Sequence, residues 1–317
     1  VGKTRLIAEW QAALDAAAPP NGRFHWIVGH SRSYGQGMPY HLLASAVQDL
    51  LDVPETADDA TLHAAVAHLA AALFPADTAA DVATYLAHLL SLPLDAALQE
   101  KVDRLEPQAL QTRYRQALRR LLAALAARRP LALVLEDLHW ADPSSADLLT
   151  DLLPLLADAP ILFCLVTRPE QDAPGWRLVT AARHTLGSSL AELSLGALTA
   201  DDSRELIANL LQIEALPDDV RQLILQKTEG NPFFVEEVIR MLIERQAIVR
   251  ENGGWTAVHP IHAVDIPDNL QGLLMARIDR LPDEVRQTLR VAAVIGRQFP
   301  LKVLARVLGE STHDAAQ

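Results

Sequence analysis

Leu131-Ala132-Leu133-Val134-Leu135-Glu136-Asp137 is the stretch on which the reading of this chain turns. An unbroken apolar run follows Pro130 and ends in two adjacent carboxylates. Such a run predicts a strand buried on both faces, as in parallel sheets. Two carboxylates at the end of that strand are costly so close to an apolar core unless a cation or a substrate uses them. In open α/β sheets the carboxyl ends of the strands are where ligands bind. The plainer alternative is that the acids simply begin a solvated loop.

Outward from this stretch, further strands and helices alternate. Arg23 to Gly29 is a short run with β character, carried by Phe24, Trp26, Ile27 and Val28. Ile161 to Val166 predicts a second buried strand, and Leu190 to Leu195 a third, ending at Gly196. Helices are predicted over residues 3–18, 40–51 and 145–156, with several more across the Ala- and Leu-rich region 56–127, broken near Pro75 and Pro93. Strands alternating with helices indicate an α/β domain with a parallel sheet. After Gly196 the pattern changes to amphipathic helices at 199–211, 217–228 and 235–246. A hairpin is predicted over 247–258, and helical sequence again from Ile266. The expected division is an α/β domain over residues 1–197, a helical domain over 198–262 and a third domain beginning at 263.

Composition narrows the function. The 317 residues carry a formal charge of −12, from 28 Lys and Arg against 40 Asp and Glu. Wrapping nucleic acid needs clustered basic residues, so the surface as a whole does not fit that task. The one cysteine, Cys164, excludes a disulfide within the chain and suits a reducing cytoplasm. No apolar run approaches the length of roughly 18 residues that a membrane-spanning helix needs. The 11 histidines show no metal-ligand spacing with cysteine, so no zinc site is expected.

Val1-Gly2-Lys3-Thr4 opens the chain and runs into an apolar-periodic helix. Alone, Gly-Lys-Thr is an ordinary helix start. Before such a helix it is also the context for the end of the phosphate-binding pattern G-x-x-x-x-G-K-[ST]. There, backbone N–H groups at Gly2 and the helix start would cradle phosphate oxygens, Lys3 would meet the β- and γ-phosphates and the Thr4 hydroxyl would ligate Mg²⁺.

Together these segments resemble the STAND-class P-loop ATPases, the AAA-like modules of MalT-type and large LuxR-type regulators and of cyclase- or kinase-linked proteins. Leu133-Val134-Leu135-Glu136-Asp137-Leu138-His139-Trp140-Ala141-Asp142 is similar to their Walker B region, Leu165-Val166-Thr167-Arg168-Pro169-Glu170 to their sensor strand, and Glu229-Gly230-Asn231-Pro232-Phe233 to their lid segment with its G-x-P motif. The resemblance implies a P-loop sheet, a helical lid and the start of a winged-helix-like domain, with ATP and Mg²⁺ as cofactors. It implies that Glu136 and Thr4 serve the metal, that Asp137 or Glu136 activates water, that Arg168 lies near the γ-phosphate and that Pro232 approaches the base. The division of roles between Glu136 and Asp137 stays open, because Glu136 stands where many relatives have Asp. Arg168 could instead pair with Glu170 on the surface, and Pro232 could simply open its helix.

In this family the first P-loop glycine and the strand before it would precede Val1. The expected sheet order is 5-1-4-3-2, with the absent strand central, so the sheet should have a gap and the phosphate cradle should be incomplete. The implied activity is slow, Mg²⁺-dependent ATP hydrolysis that sets domain arrangement in a larger signalling or transcription-regulating protein. A regulatory module of a nucleotide cyclase or kinase, and a nucleotide-holding scaffold without turnover, are the alternatives. Implied partners are ATP and ADP, further N- and C-terminal domains of the same protein, and a second copy where ATP drives self-association. No membrane is implied, and DNA only through domains outside this segment.

Overall fold

The computed structural model describes residues 2–17, 23–54, 57–211, 218–251, 254–258, 269–279, 281–295 and 301–308. The chain forms two compact units, Thr4–Glu192 in one and Leu193–Gln317 with Val1–Lys3 in the other.

In the first unit, helix α1 (Lys3–Ala17), from Thr4 onward, leads to strand β1 (His25–His30) and helix α2 (His41–Leu50). A helical layer follows, made of α3 (Asp59–Leu73), α4 (Ala76–Leu89), α5 (Ala96–Asp103) and α6 (Pro107–Ala126). Then come β2 (Leu131–Glu136), α7 (Pro143–Leu152), the single turn α8 (Leu155–Asp158), β3 (Ile161–Leu165) and α9 (Pro174–Leu186). The three strands are parallel in the order β1-β2-β3. β2 is central and every one of its residues is buried, which is why its sequence is apolar throughout instead of alternating. The core joins β2 to Leu42, Val47, Leu86, Leu121, Leu149 and Leu178 from the covering helices.

The sheet stops at β1 for a specific reason. His25 N and Ser31 N donate toward β2, so the alternate amides face outward. Two of those are taken by α2, the Val28 amide by the Asp49 carboxylate at 2.8 Å and the His30 amide by the Ser45 hydroxyl at 3.1 Å. Gly29 lies between them because α2 packs hard on the strand there. A Cβ at Gly29 would come within 3.1–3.2 Å of Ala46, Leu42 and Leu135.

One predicted strand is not formed. Residues 190–195 have no regular structure, and Leu193 is 82% exposed. A strand exists through its ladder, and no described strand offers these residues a partner. The expected gap also takes a different form, since the three strands are contiguous and the sheet ends at β3. Helix α9 is an element that the sequence reading did not foresee.

The second unit contains α10 (Ala200–Leu211), α11 (Asp218–Thr228) and α12 (Pro232–Glu244), then the antiparallel hairpin β4 (Ile248–Glu251) and β5 (Gly254–Ala257). Helices α13 (Leu270–Ile278), α14 (Asp283–Ile295) and α15 (Leu301–Leu308) follow. Its core gathers Ile207, Ile224, Val235, Val238, Leu242 and Ile248. Buried Glu237 accepts from Arg240 at 3.2 Å and Arg277 at 3.0 Å and so ties α12 to α13. Residues 259–268, where the second domain boundary and the helix start at Ile266 were expected, lie outside the described residues, as does Gly253 at the hairpin centre.

Candidate active site

The C-terminal edge of the sheet gathers the chemistry. β2 delivers Glu136 as its last residue, 7% exposed, with His30 of β1 as its ladder partner. The Thr4 hydroxyl, in the first turn of α1, donates to Glu136 Oε2 at 3.3 Å. The predicted site residues Thr4 and Glu136, far apart in sequence, therefore meet. Lys3 directly precedes Thr4 as the first residue of α1, and Gly2 before it has φ +85°, a conformation that suits glycine.

Asp137 leaves the strand in the left-handed region (φ 56°, ψ 39°) and is half-buried. That conformation turns the chain sharply, so Glu136 and Asp137 do not continue the alternation of a strand. The turn is held by Leu138 N donating to Val166 O at 3.0 Å and Trp140 N donating to Asp137 O at 2.8 Å. Arg168, beyond the end of β3, is exposed. Its guanidinium lies 5.8 Å from the centre of the Trp140 ring and 3.8 Å from Glu170 Oε1. The pairing with Glu170 is thus formed, and at such exposure it stabilises little. Trp140 is half-buried with its ring 4.5 Å from that of His139. In the other unit, Pro232 is the first residue of α12, whose Asn231 cap accepts from the amides of Phe233 and Phe234. Gly230 before it has φ +73°, and a Cβ there would overlap the carbonyl oxygen of Leu198.

Two features of the site escaped the sequence reading. Asp142, five residues past Asp137, is 1% exposed and accepts three backbone amides. Its Oδ1 takes Tyr40 N and Ser145 N, each at 2.8 Å, and its Oδ2 takes Leu42 N at 3.3 Å. It both caps α7 and fixes the start of α2 to the loop after the acidic pair. The second is Gly175 in the first turn of α9. A Cβ there would run into the Leu138 carbonyl oxygen, so α9 seats directly on that same loop. Between β1 and α2 the chain forms a 3₁₀ turn at Ser33–Gly37, and Gln36 Nε2 donates to His139 O at 3.3 Å.

A family model for the AAA ATPase domain matches residues 1–166, more than half of the 317-residue chain. The chain belongs to the AAA ATPase domain family. A second family, described as a domain of unknown function, matches residues 199–255. The uncharacterized protein R02095 of Rhizobium meliloti (strain 1021) is 29% identical over 208 residues, which cover 64% of this chain. The chain spans only 18% of that relative's length. No solved structure matches it.

An AAA ATPase domain implies ATP binding, typically with Mg²⁺, and the residues present suit that ion. Mg²⁺ prefers hard oxygen donors and relies on one or two protein groups plus substrate phosphates. The Thr4 hydroxyl and Glu136 carboxylate, side by side at the strand end, supply that kind of donor set. Among the described residues no group of three or more His, Cys, Asp or Glu is arranged as an all-protein metal site. No described helix is long and apolar enough to cross a membrane.

The Glu136 charge has a built-in reporter. Burial, and then the Glu136 carboxylate, push the Cys164 thiol above its ordinary range. A raised thiol pKa means less thiolate at any given pH. Cys164 should therefore react with iodoacetamide slowly at pH 7.5 and faster as pH rises through 9 and above. Glu136→Gln should shift that rate profile to lower pH, and an unshifted profile would show that the charge is not felt at Cys164.

Proposed function

We propose that this AAA ATPase domain is a nucleotide-driven switch of the STAND class, in which slow ATP hydrolysis sets the arrangement of domains in a larger regulatory protein. The reading rests on one contact above all, the hydrogen bond from Thr4 in the first turn of α1 to Glu136 at the end of the central strand. A helix start carrying Gly-Lys-Thr that meets an acidic strand end is the arrangement that phosphoryl transfer requires, because that reaction is governed by positioning and by charge neutralisation.

In this proposal Lys3 and the amides at the start of α1 hold the phosphates. Thr4 and Glu136 would hold Mg²⁺, which would supply charge neutralisation for the phosphates. Asp137, turned away from the strand axis, orients the attacking water and accepts its proton. Arg168 leaves its weak pairing with Glu170 to meet the γ-phosphate.

The test is ATP binding and turnover in the full-length protein. Lys3→Ala removes a charge-assisted contact to phosphate, so it should weaken ATP binding about 10–100-fold. Unchanged affinity would end the proposal. Tight binding with no measurable turnover in the unaltered protein would instead identify a nucleotide-holding scaffold, the alternative that Glu136 in the metal position leaves open.

A further inference from the structure

We propose that His30 is a positioning residue for Glu136, sharing with Thr4 the task of aiming that carboxylate at the magnesium–nucleotide complex; the inference rests on the function proposed above. Glu136 has three side-chain torsions and lies almost wholly out of solvent, so its orientation must come from its neighbours. Thr4 and His30 both stand at the same oxygen. Thr4 donates to Oε2 at 3.3 Å, and His30 Nδ1 stands 3.7 Å from Oε2.

His30 is built for this place in a way that packing does not explain. Its backbone is held from both sides. Its amide donates to Ser45 Oγ of α2, the next amide, of Ser31, donates to Glu136 O, and the ladder sets His30 directly beside Glu136. Gly29 before it permits the close approach of α2 that fixes this stretch. The side chain itself remains 49% exposed. A histidine kept for the core would be buried, whereas here a rigid backbone presents a half-solvated imidazole to the buried acid. Ser31, the next residue, adds a buried hydroxyl with no hydrogen-bond partner among the described residues. The strand end thus carries more polar groups than the fold uses.

A separation of 3.7 Å is beyond hydrogen-bond length. Contacts of this kind are often long before the ligand binds and shorten in the loaded state. A single hydroxyl donor that also gave a lone pair to Mg²⁺ would hold Oε2 at one point only, leaving the carboxylate free to turn about it. An Nδ1–H donor from His30 then keeps the carboxylate from swinging away. This is how groups behind a metal ligand usually act, by orienting it without touching the ion.

The experiment compares unaltered full-length protein with His30→Ala and His30→Asn, using a fluorescent ATP analogue titrated with Mg²⁺, ATP turnover and thermal melting. His30→Ala should raise the Mg²⁺ concentration for half-maximal nucleotide binding about tenfold and lower kcat by a similar factor. KM measured at saturating Mg²⁺ and the melting temperature should stay close to their original values. His30→Asn, which retains a donor, should recover most of both losses. An unchanged Mg²⁺ requirement in His30→Ala overturns the inference. Equal loss in both variants together with a lower melting temperature also overturns it, because that result marks a structural role. Failure of the functional reading itself looks different: Lys3→Ala would then bind the nucleotide as well as the unaltered protein.

Discussion

Asp137→Ala in the full-length protein should keep ATP binding within about threefold while lowering turnover about 10²–10⁴-fold, the range typical for loss of a positioned general base. The expectation follows from where the structure puts the two acids. Glu136 ends the strand, buried, with Oε2 already engaged by Thr4. Asp137 is half-buried one residue on and sits at φ 56°. Few residues other than glycine tolerate that region, though Asp is among those that visit it most. Holding a non-glycine residue there costs on the order of 1–3 kcal/mol, and such costs gather where function needs an unusual direction for a side chain. Asp137→Asn is the companion variant, since it tolerates the same backbone and lacks the basic carboxylate. Phosphate release should fall in both variants, with nucleotide affinity followed by fluorescence. Turnover left intact in Asp137→Ala would assign water activation elsewhere.

Asp142→Ala should lower the stability of the first unit by roughly 3–5 kcal/mol, because three amides lose their acceptor in a site closed to water and each buried orphan costs about 1–3 kcal/mol. For a unit of this size that corresponds to a fall of roughly 10 °C in melting temperature. Asp142→Asn discriminates the mechanism. Its remaining carbonyl oxygen can keep the Tyr40 and Ser145 amides, which share Oδ1, so it loses only the longer bond from Leu42 and should lose well under half as much stability. Equal melting temperatures for the unaltered protein and Asp142→Ala would show that the hub is dispensable. Because the hub fixes the loop directly after the acidic pair, Asp142→Asn should also lose some turnover while remaining folded.

What the sequence made legible follows from how local each signal is. β2 could be read from a single window, because burial on both faces leaves an uninterrupted apolar run. The meeting of Thr4 with the acidic strand end was legible from two local patterns and the chemistry they share. Asp142 carries no sequence signal of its hub role, since its partners Tyr40 and Leu42 are backbone amides about 100 residues away and leave no side-chain signature. Helix α9 went unseen because it begins Pro174-Gly175, a pair that reads as a turn. In the structure the proline suits the first helical position and the glycine allows contact with Leu138. The error over residues 190–195 runs the other way: Leu190, Leu193 and Leu195 looked like a strand, but β character is realised only beside a ladder partner. His30 falls just outside the β-prone run Arg23 to Gly29, and nothing in its neighbours reveals that the ladder sets it beside Glu136.

The way α2 finishes the sheet gives this unit a handed margin. With Asp49 and Ser45 occupying two outward amides of β1, an incoming peptide would have to evict a carboxylate and a hydroxyl before it could zip onto that side. Sheet margins are where chains stick together uninvited, and here one of them is blunted without proline or lysine. Any lateral extension of these strands, wanted or unwanted, is therefore steered to the opposite flank, along β3.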